Sequence, residues 1–247
     1  MDRVLGRAGR RRIGDLVVAA VVVVLLAWAL VPGLGPDLLG MGGRWGWMGA
    51  GGTAVDALPD TSTARELKTL PVRGFEEEAA APDYERDRFG QAWADEDRNG
   101  CDTRNDILAR DLARPAFKPG TNDCVVVSGA LAEPYVGETI EFQRGQDTSG
   151  LVQIDHVVAL ADAWRSGAWR WEGAQRQAFA NDPVNLLAVD GQANTDKGAA
   201  SADLWLPPNR AFRCEYVARQ IRVKARWGLS VTGSEKEAMA RVLLSCP

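Results

Sequence analysis

Histidine is nearly absent from this chain: 247 residues contain one, His156, so imidazole chemistry has a single candidate. None of the four cysteines (Cys101, Cys124, Cys214, Cys246) forms a C-x-x-C pair. That spacing argues against a zinc cluster. Positive charge is not in excess either, with 29 Lys and Arg against 33 Asp and Glu and a net charge of −4. The first sixteen residues hold Arg3, Arg7, Arg10, Arg11 and Arg12 against Asp2 and Asp15, so the remainder carries about −7. Tight, processive nucleic-acid binding through overall charge is thereby disfavoured. Salt-sensitive binding through local patches is still open. No internal repeat divides the chain, and its 46% hydrophobic content supplies one ordinary core.

Long uncharged runs are also few, and the one at Leu16–Val31 is informative because five arginines precede it and Pro32-Gly33 ends it. Its sixteen residues are slightly long for a signal-peptide core and slightly short for a membrane span. Ala27-Trp28-Ala29 offers an A-x-A-like cleavage site; without cleavage, residues to Gly35 complete a marginal span with the basic flank in the cytoplasm. Residues 1–32 are therefore a signal peptide or membrane anchor, and the rest is exported, secreted or tethered by one N-terminal helix. Residues 33–81, glycine-rich around 40–52, are expected to form a flexible tether, and 82–247 the folded domain. All four cysteines fall in that domain, and an oxidising compartment favours disulfides. Of three possible pairings, the sequence-local one, Cys101–Cys124 with Cys214–Cys246, is preferred.

His156 stands in Gln153-Ile154-Asp155-His156-Val157-Val158, an acid directly before the imidazole after a short apolar run. Such a pair suits metal-dependent phosphodiester cleavage: the carboxylate can hold a divalent cation while a near-neutral imidazole takes a proton from water. A lone capping histidine is the plainer alternative, and the downstream residues weigh against it. Val184–Val189 is an apolar run bounded by Asp-Pro and Asp-Gly, hence a buried strand, and Gln192–Asp203 starts a short helix. Strand with Asp-His, strand with Asn-Leu, then a helix carrying Asn is a ββα order.

On Ile154-Asp155-His156, Asn185-Leu186 and Asn194-Thr195-Asp196-Lys197-Gly198, the chain resembles HNH (His-Me finger) endonucleases, of the type found as the C-terminal domain of GmrSD restriction enzymes and in secreted bacterial proteins. The resemblance covers roughly 84–246, its signature 151–200. It implies an α+β fold with a ββα-metal core at 151–203, extra helices and two disulfides. It implies a metal-dependent endonuclease acting on nucleic acid, DNA ahead of RNA. His156 would be the general base, Asn185 would steady the loop behind it, and Asp155 and Asn194 would hold the metal. Asn194 replaces the histidine of the literal motif, and its neutral carbonyl oxygen suits Mg²⁺, with Mn²⁺ as second choice, better than Zn²⁺. Asp190 and Asp196 are rival ligands, Asp190 being equally suited to cap the helix. The contrasting reading is a noncatalytic, disulfide-braced binding module of the cell envelope on the same scaffold.

Phosphate contacts are expected from Lys197 and from Arg219, Arg222 and Arg226, which recur at i, i+3 and i+7 on one helix face. A second motif, Asp95-x-Asp97-x-Asn99-Gly100 with Asp106 at position twelve, has the layout of a calcium loop and suggests a structural Ca²⁺. Elsewhere, Pro82–Ala113 is expected to be largely helical apart from that loop. Cys124–Val127, Ile140–Arg144 and Leu151–Asp155 read as strands. Trp164–Ala180, Arg210–Trp227 and Ser234–Leu244 read as helices, the last opened by Ser234 and Glu237 in capping-box spacing.

Overall fold

The computed structural model describes residues 52–247. The basic leader, the Leu16–Val31 run and most of the glycine-rich stretch lie outside the described residues. Among the described residues no helix is long and apolar enough to cross a membrane. The folded unit begins at Gly52, well before the expected boundary at 82. Residues 62–69 form helix α1 (Ser62–Thr69), capped by the Thr61 hydroxyl, which accepts from the Ala64 N–H at 3.1 Å. It buries Leu67 and Ala64, and with Leu58 and Leu70 these join a core holding Tyr216, Ile221 and Met239. A short α2 (Phe75–Ala79) follows. The described part of the expected tether is thus folded, because it carries an apolar stripe that the helices need.

Between 82 and 113 the expected helix is mostly replaced by other structure. A 3-10 turn spans Arg86–Phe89, the 94–102 loop ends at Asp102, and α3 (Thr103–Asp111) starts there, with the Asp102 carboxylate accepting from the Asn105 N–H at 2.8 Å. Leu112–Phe117, not foreseen as a strand, is β1, the edge of an antiparallel sheet with β2 (Val126–Ala132) and β3 (Thr139–Gln143). The strand expected at Cys124–Val127 therefore starts later and runs further. Trp164–Ala180 breaks into two helices, α4 (Leu160–Arg165) and α5 (Gly173–Ala180), because Gly167 adopts φ +123° between them. The capping box of the last helix, α8 (Gly233–Leu244), belongs to Thr232 and Glu235 rather than Ser234 and Glu237. The disulfides are Cys101–Cys124 and Cys214–Cys246.

The expected catalytic and metal-holding residues fall on or beside a second, two-stranded antiparallel sheet of β4 (Val152–His156) and β5 (Leu186–Asp190), followed at once by α6 (Gly191–Lys197). Register runs from Val152↔Asp190 to His156↔Leu186. Strand alternation sends Val152, Ile154, Leu186 and Ala188 into one apolar cluster, while Leu187 and Val189 join the other with Ala193 of α6. Asp155 and Gln153 share that second face. The junction from β5 to α6 is tight: a Cβ on Gly191 would lie 2.1 Å from the Gly150 carbonyl oxygen, so only glycine fits. The longest helix among the described residues, α7 (Arg213–Trp227), buries Tyr216, Val217, Gln220, Ile221 and Lys224.

Candidate active site

His156 ends β4 and is buried. Its Nε2 lies 2.8 Å from the carbonyl oxygen of Ala180, the last residue of α5. A carbonyl can only accept, so Nε2 carries the proton and the neutral ring keeps its lone pair on Nδ1. That carbonyl is one of the last-turn oxygens a helix leaves without an internal partner, which explains the pairing. Burial pushes the imidazole pKa down to about 4, with Arg86 and Lys197 adding to the shift and the Ala180 carbonyl and Asp155 opposing it. The ring is neutral at physiological pH. Trp93 lies nearly parallel to it, with ring centroids 6.0 Å apart and a 13° interplanar angle.

Asn185 is completely buried and clips the turn after the histidine. Its Oδ1 accepts from the Val158 N–H at 2.8 Å, and its Nδ2 donates to the Val158 carbonyl at 3.1 Å. The Asn185 carbonyl also accepts from the Val157 N–H at 2.8 Å. Three bonds thus hold Val157 and Val158 against the β5 entrance. The backbone leaving His156 has one path.

Asp155 points to the opposite face of the strand. Its Oδ1 accepts from Lys197 Nζ at 2.9 Å, and its Oδ2 from the Tyr135 hydroxyl at 2.5 Å. Burial and the Asp155 charge raise the Tyr135 pKa well above its ordinary value, so the phenol remains a donor. Asn194 donates through Nδ2 to Gln153 Oε1 at 2.8 Å, which leaves its Oδ1 open as an acceptor. A cleft of about 300 Å³ brings His156, Asp155 and Asn194 together, bordered by Tyr84, Arg86 and Leu160. A smaller chamber of about 70 Å³ opens on the Trp93 side, sharing His156, Arg86 and Leu160 with the first.

These donors fit a hard divalent cation in part. The cleft supplies one carboxylate and one amide oxygen without thiolate or a second histidine, and Mg²⁺ typically takes few protein ligands, keeping water and substrate oxygens. The Asp155 carboxylate would have to share such an ion with the Lys197 ammonium. Among the described residues no group of three or more acidic, histidine or cysteine side chains is placed to hold a metal. Of the rival ligands, Asp190 caps α6 by accepting from the Ala193 N–H at 2.7 Å, and Asp196 pairs with Gln192 at 2.7 Å.

The structure redirects several expected contacts. Lys197 was expected at phosphate, yet its ammonium is fully buried between Asp155 and the His156 carbonyl. The reason is helical phase: Ala193 and Lys197 share the α6 face that packs inward, and the buried Asp155 needs a countercharge. Arg219 donates to the Val184 carbonyl at 2.7 Å and to Leu186 at 2.8 Å, fastening the turn that carries Asn185. Arg222 lines a separate groove with Arg110 and Glu215, and Arg226 lies 3.8 Å from Asp182. None of the three lines the cleft beside His156.

The expected calcium loop closes on itself. The Asn99 N–H meets Asp95 and Asp97 at 3.1 and 3.2 Å, its Nδ2 meets Asp106 at 3.1 Å, and the Gly100 N–H meets Asp95 at 3.0 Å. Those carboxylates are spent on the turn's own amides, and they form no metal-holding group among the described residues. Burial raises the Asp106 pKa. The loop's visible task is to lead into the Asp102 cap of α3.

Sequence reasoning missed Tyr135, Arg86, Trp93 and the Ala180 carbonyl. The first three lie on segments remote from the motif, with no local signal tying them to it. The carbonyl could have been anticipated, since a helix ending before Asn181-Asp182-Pro183 must satisfy its last oxygens.

Residues 102–242 match the family described as GmrSD restriction endonucleases, C-terminal domain. An uncharacterized secreted protein of Arthroderma benhamiae is 38% identical over 197 residues, covering 76% of this chain and 87% of that protein. No solved structure matches.

Proposed function

Because the chain belongs to the family of GmrSD restriction endonuclease C-terminal domains, we propose that it is an exported, metal-dependent HNH endonuclease with His156 as general base. The observation that carries this reading is the neutral imidazole at the cleft: Nε2 is committed to Ala180, Nδ1 makes no hydrogen bond among the described residues, and Asp155 and Asn194 line the same opening. A base held in its unprotonated form at neutral pH can accept a proton from water as that water attacks phosphorus. Asn185 keeps the ring's backbone from rotating away, and the Ala180 carbonyl keeps Nδ1 the accepting atom. Asp155 and Asn194 would hold one divalent cation, Mg²⁺ ahead of Mn²⁺, which supplies Lewis-acid polarisation of the phosphodiester when bound.

Nucleic acid is the substrate class that the family implies, and its description as restriction endonucleases favours DNA over RNA. Export is supported by the secreted relative and by the two disulfides, which an oxidising compartment sustains. The basic leader before Leu16–Val31 fits the same route, whether cleaved or retained as an anchor.

Incubation of the full chain with plasmid DNA and with RNA, in Mg²⁺, Mn²⁺ or chelator, tests the proposal. Metal-dependent nicking is expected, and His156→Ala should lower its rate about 10²–10⁴-fold without loss of the fold. Undiminished turnover in the purified, folded variant would remove His156 from the mechanism. No cleavage of any nucleic acid by wild type would favour the binding-module reading.

A further inference from the structure

A cleft that holds a phosphodiester needs a cation within reach of its nonbridging oxygens, and the sequence-conspicuous candidates do not reach this one. Lys197 is spent on Asp155, and Arg219 on three backbone carbonyls. Arg222 and Arg226 border other surface. The cation lining both chambers beside His156 is Arg86. We propose that Arg86 is the phosphate-binding residue of this cleft and holds the nucleic-acid strand across His156, an inference that rests on the nuclease reading above.

Arg86 combines an exposed head with a fixed root. Its side chain makes no ion pair among the described residues; its guanidinium neighbours the Tyr84 hydroxyl, a neutral partner on the same cleft. Its acidic neighbour Glu85 is taken by Arg88 at 2.8 Å, which leaves Asp87, in the smaller chamber, as the nearby charge of opposite sign. Asp87 would repel an anion there, whereas Asp155 carries its own countercharge in Lys197, so the phosphate belongs on the side of Asp155 and Asn194. The backbone beneath is anchored on both flanks. Trp164 Nε1 donates to the Pro82 carbonyl at 2.7 Å, and Arg176 Nε to the Arg88 carbonyl at 2.7 Å. Phe89 is buried against Trp164 and Phe179, with centroids 6.1 and 6.2 Å away. Gly90 turns at φ +74°, where a Cβ would meet Gln177 Oε1 at 2.5 Å. A guanidinium on such a base presents its fork to phosphate at small entropic cost. Its charge already reaches the imidazole, whose protonation it opposes. Arg86 also precedes residues 102–242, so this contact lies outside the segment matched to the family.

The test uses the full chain carrying His156→Ala, so that the probe stays intact, and a fluorescein-labelled DNA duplex with its single strand. Anisotropy titrations over a range of salt give affinity and slope. Adding Arg86→Ala should weaken binding about tenfold and reduce the logarithmic salt slope by about one, since one phosphate contact releases about one counterion. Arg86→Lys should retain the slope. Lys118→Ala, an exposed cation beyond β1, should change neither. With His156 intact, Arg86→Ala should raise KM about tenfold and alter kcat less. Cleavage by wild type with unchanged KM and salt slope in Arg86→Ala would overturn this inference alone. A wild-type protein that neither binds nor cleaves nucleic acid would overturn both it and the nuclease reading.

Discussion

Two lysines in the last turns of their helices have the ammonium fully buried, and they differ in what surrounds them. Lys224, in the last turn of α7, sits 2.8 Å from Asp162 and 2.7 Å from Glu235, with Arg73 at 3.7 and 3.8 Å from the same acids. Arg73 also pairs with the partly exposed Glu78 of α2 at 3.1 Å, so three acids face two bases around a buried centre that ties α4, α7 and α8 together. Burial raises the Glu235 pKa. For Asp162 the same burial is outweighed only by the charge and hydrogen bond of Lys224 together with Arg73 and Arg165, and the pKa falls. Lys197, ending α6, has Asp155 as its one acidic partner beside the His156 carbonyl, and that acid lines an open cleft beside an uncommitted imidazole nitrogen. Buried charge therefore does not mark a site by itself. An opening, and a neighbour with chemistry left to use, distinguish the second cluster from the first.

Replacing each lysine with methionine separates the two roles. Removing one partner of a buried ion group leaves the other uncompensated, at a cost of about 3–5 kcal/mol. Lys224→Met should show that loss in denaturant unfolding while the folded fraction retains its kcat/KM. Lys197→Met should lose comparable stability and also fall at least tenfold in kcat/KM, because Asp155 would be left without its countercharge. Equal retention of activity in both folded variants would make the Lys197 cluster as purely structural as its counterpart.

The same contrast explains what the sequence made legible. The apolar run between Asp-Pro and Asp-Gly marked β5, and the Asp155-His156 and Asn194 motifs fall on β4 and α6, with Asn185 at the entrance to β5. Local disulfide pairing was also readable, since each bridge closes a short segment. Tyr135 and Arg73 were not readable, because Asp155, Asp162 and Glu235 lie far from them in sequence and no periodicity records a long-range contact; Arg86 was not readable, because nothing local ties it to the motif. The α7 arginines misled for a related reason: a helical stripe of charge says which residues share a face, but not which surface that face meets. Arg219 meets carbonyls. The described part of the expected tether was misjudged because the glycine-rich stretch before it was extended across Leu58, Leu67 and Leu70, whose burial only the packed helices reveal.

The bridges sharpen the comparison at lower cost. Cys214–Cys246 joins the start of α7 to the segment after α8, around the helices that hold the sealed cluster, at a sequence separation of 32. Cys101–Cys124 spans 23 and braces the loop and α3 beside the smaller sheet. The chain-entropy model gives each about 3–4 kcal/mol. Cys214→Ser/Cys246→Ser and Cys101→Ser/Cys124→Ser should each lower unfolding free energy by roughly that amount. Thiol counting of denatured, unreduced wild type should find none free; four free thiols in exported protein would refute both bridges and compartment.

The smallest effect isolates the imidazole itself. His156 has an ordinary pKa of 6.5 and is pushed by burial to about 4 in the fold, where Asp155, Lys197 and Arg86 are the charges around it. Above 6.5 the ring is neutral in both folded and unfolded chains, so stability does not depend on its titration. As pH falls from 6.5 toward 4, the unfolded chain takes up a proton that the folded ring refuses, and the fold loses stability. The full difference amounts to about 3 kcal/mol, and it levels off once the folded ring also protonates. Asp106 and Glu235, whose folded pKa values are raised, act in the opposite direction as they bind protons early. The wild type must therefore be compared with His156→Gln, which keeps those groups and removes the imidazole. In chelator, denaturant titrations from pH 7 to pH 4 should show the wild type losing stability relative to His156→Gln by up to that amount. Parallel stability curves would mean that the ring protonates as readily in the fold as in water, and the neutral base at the centre of the cleft would be lost.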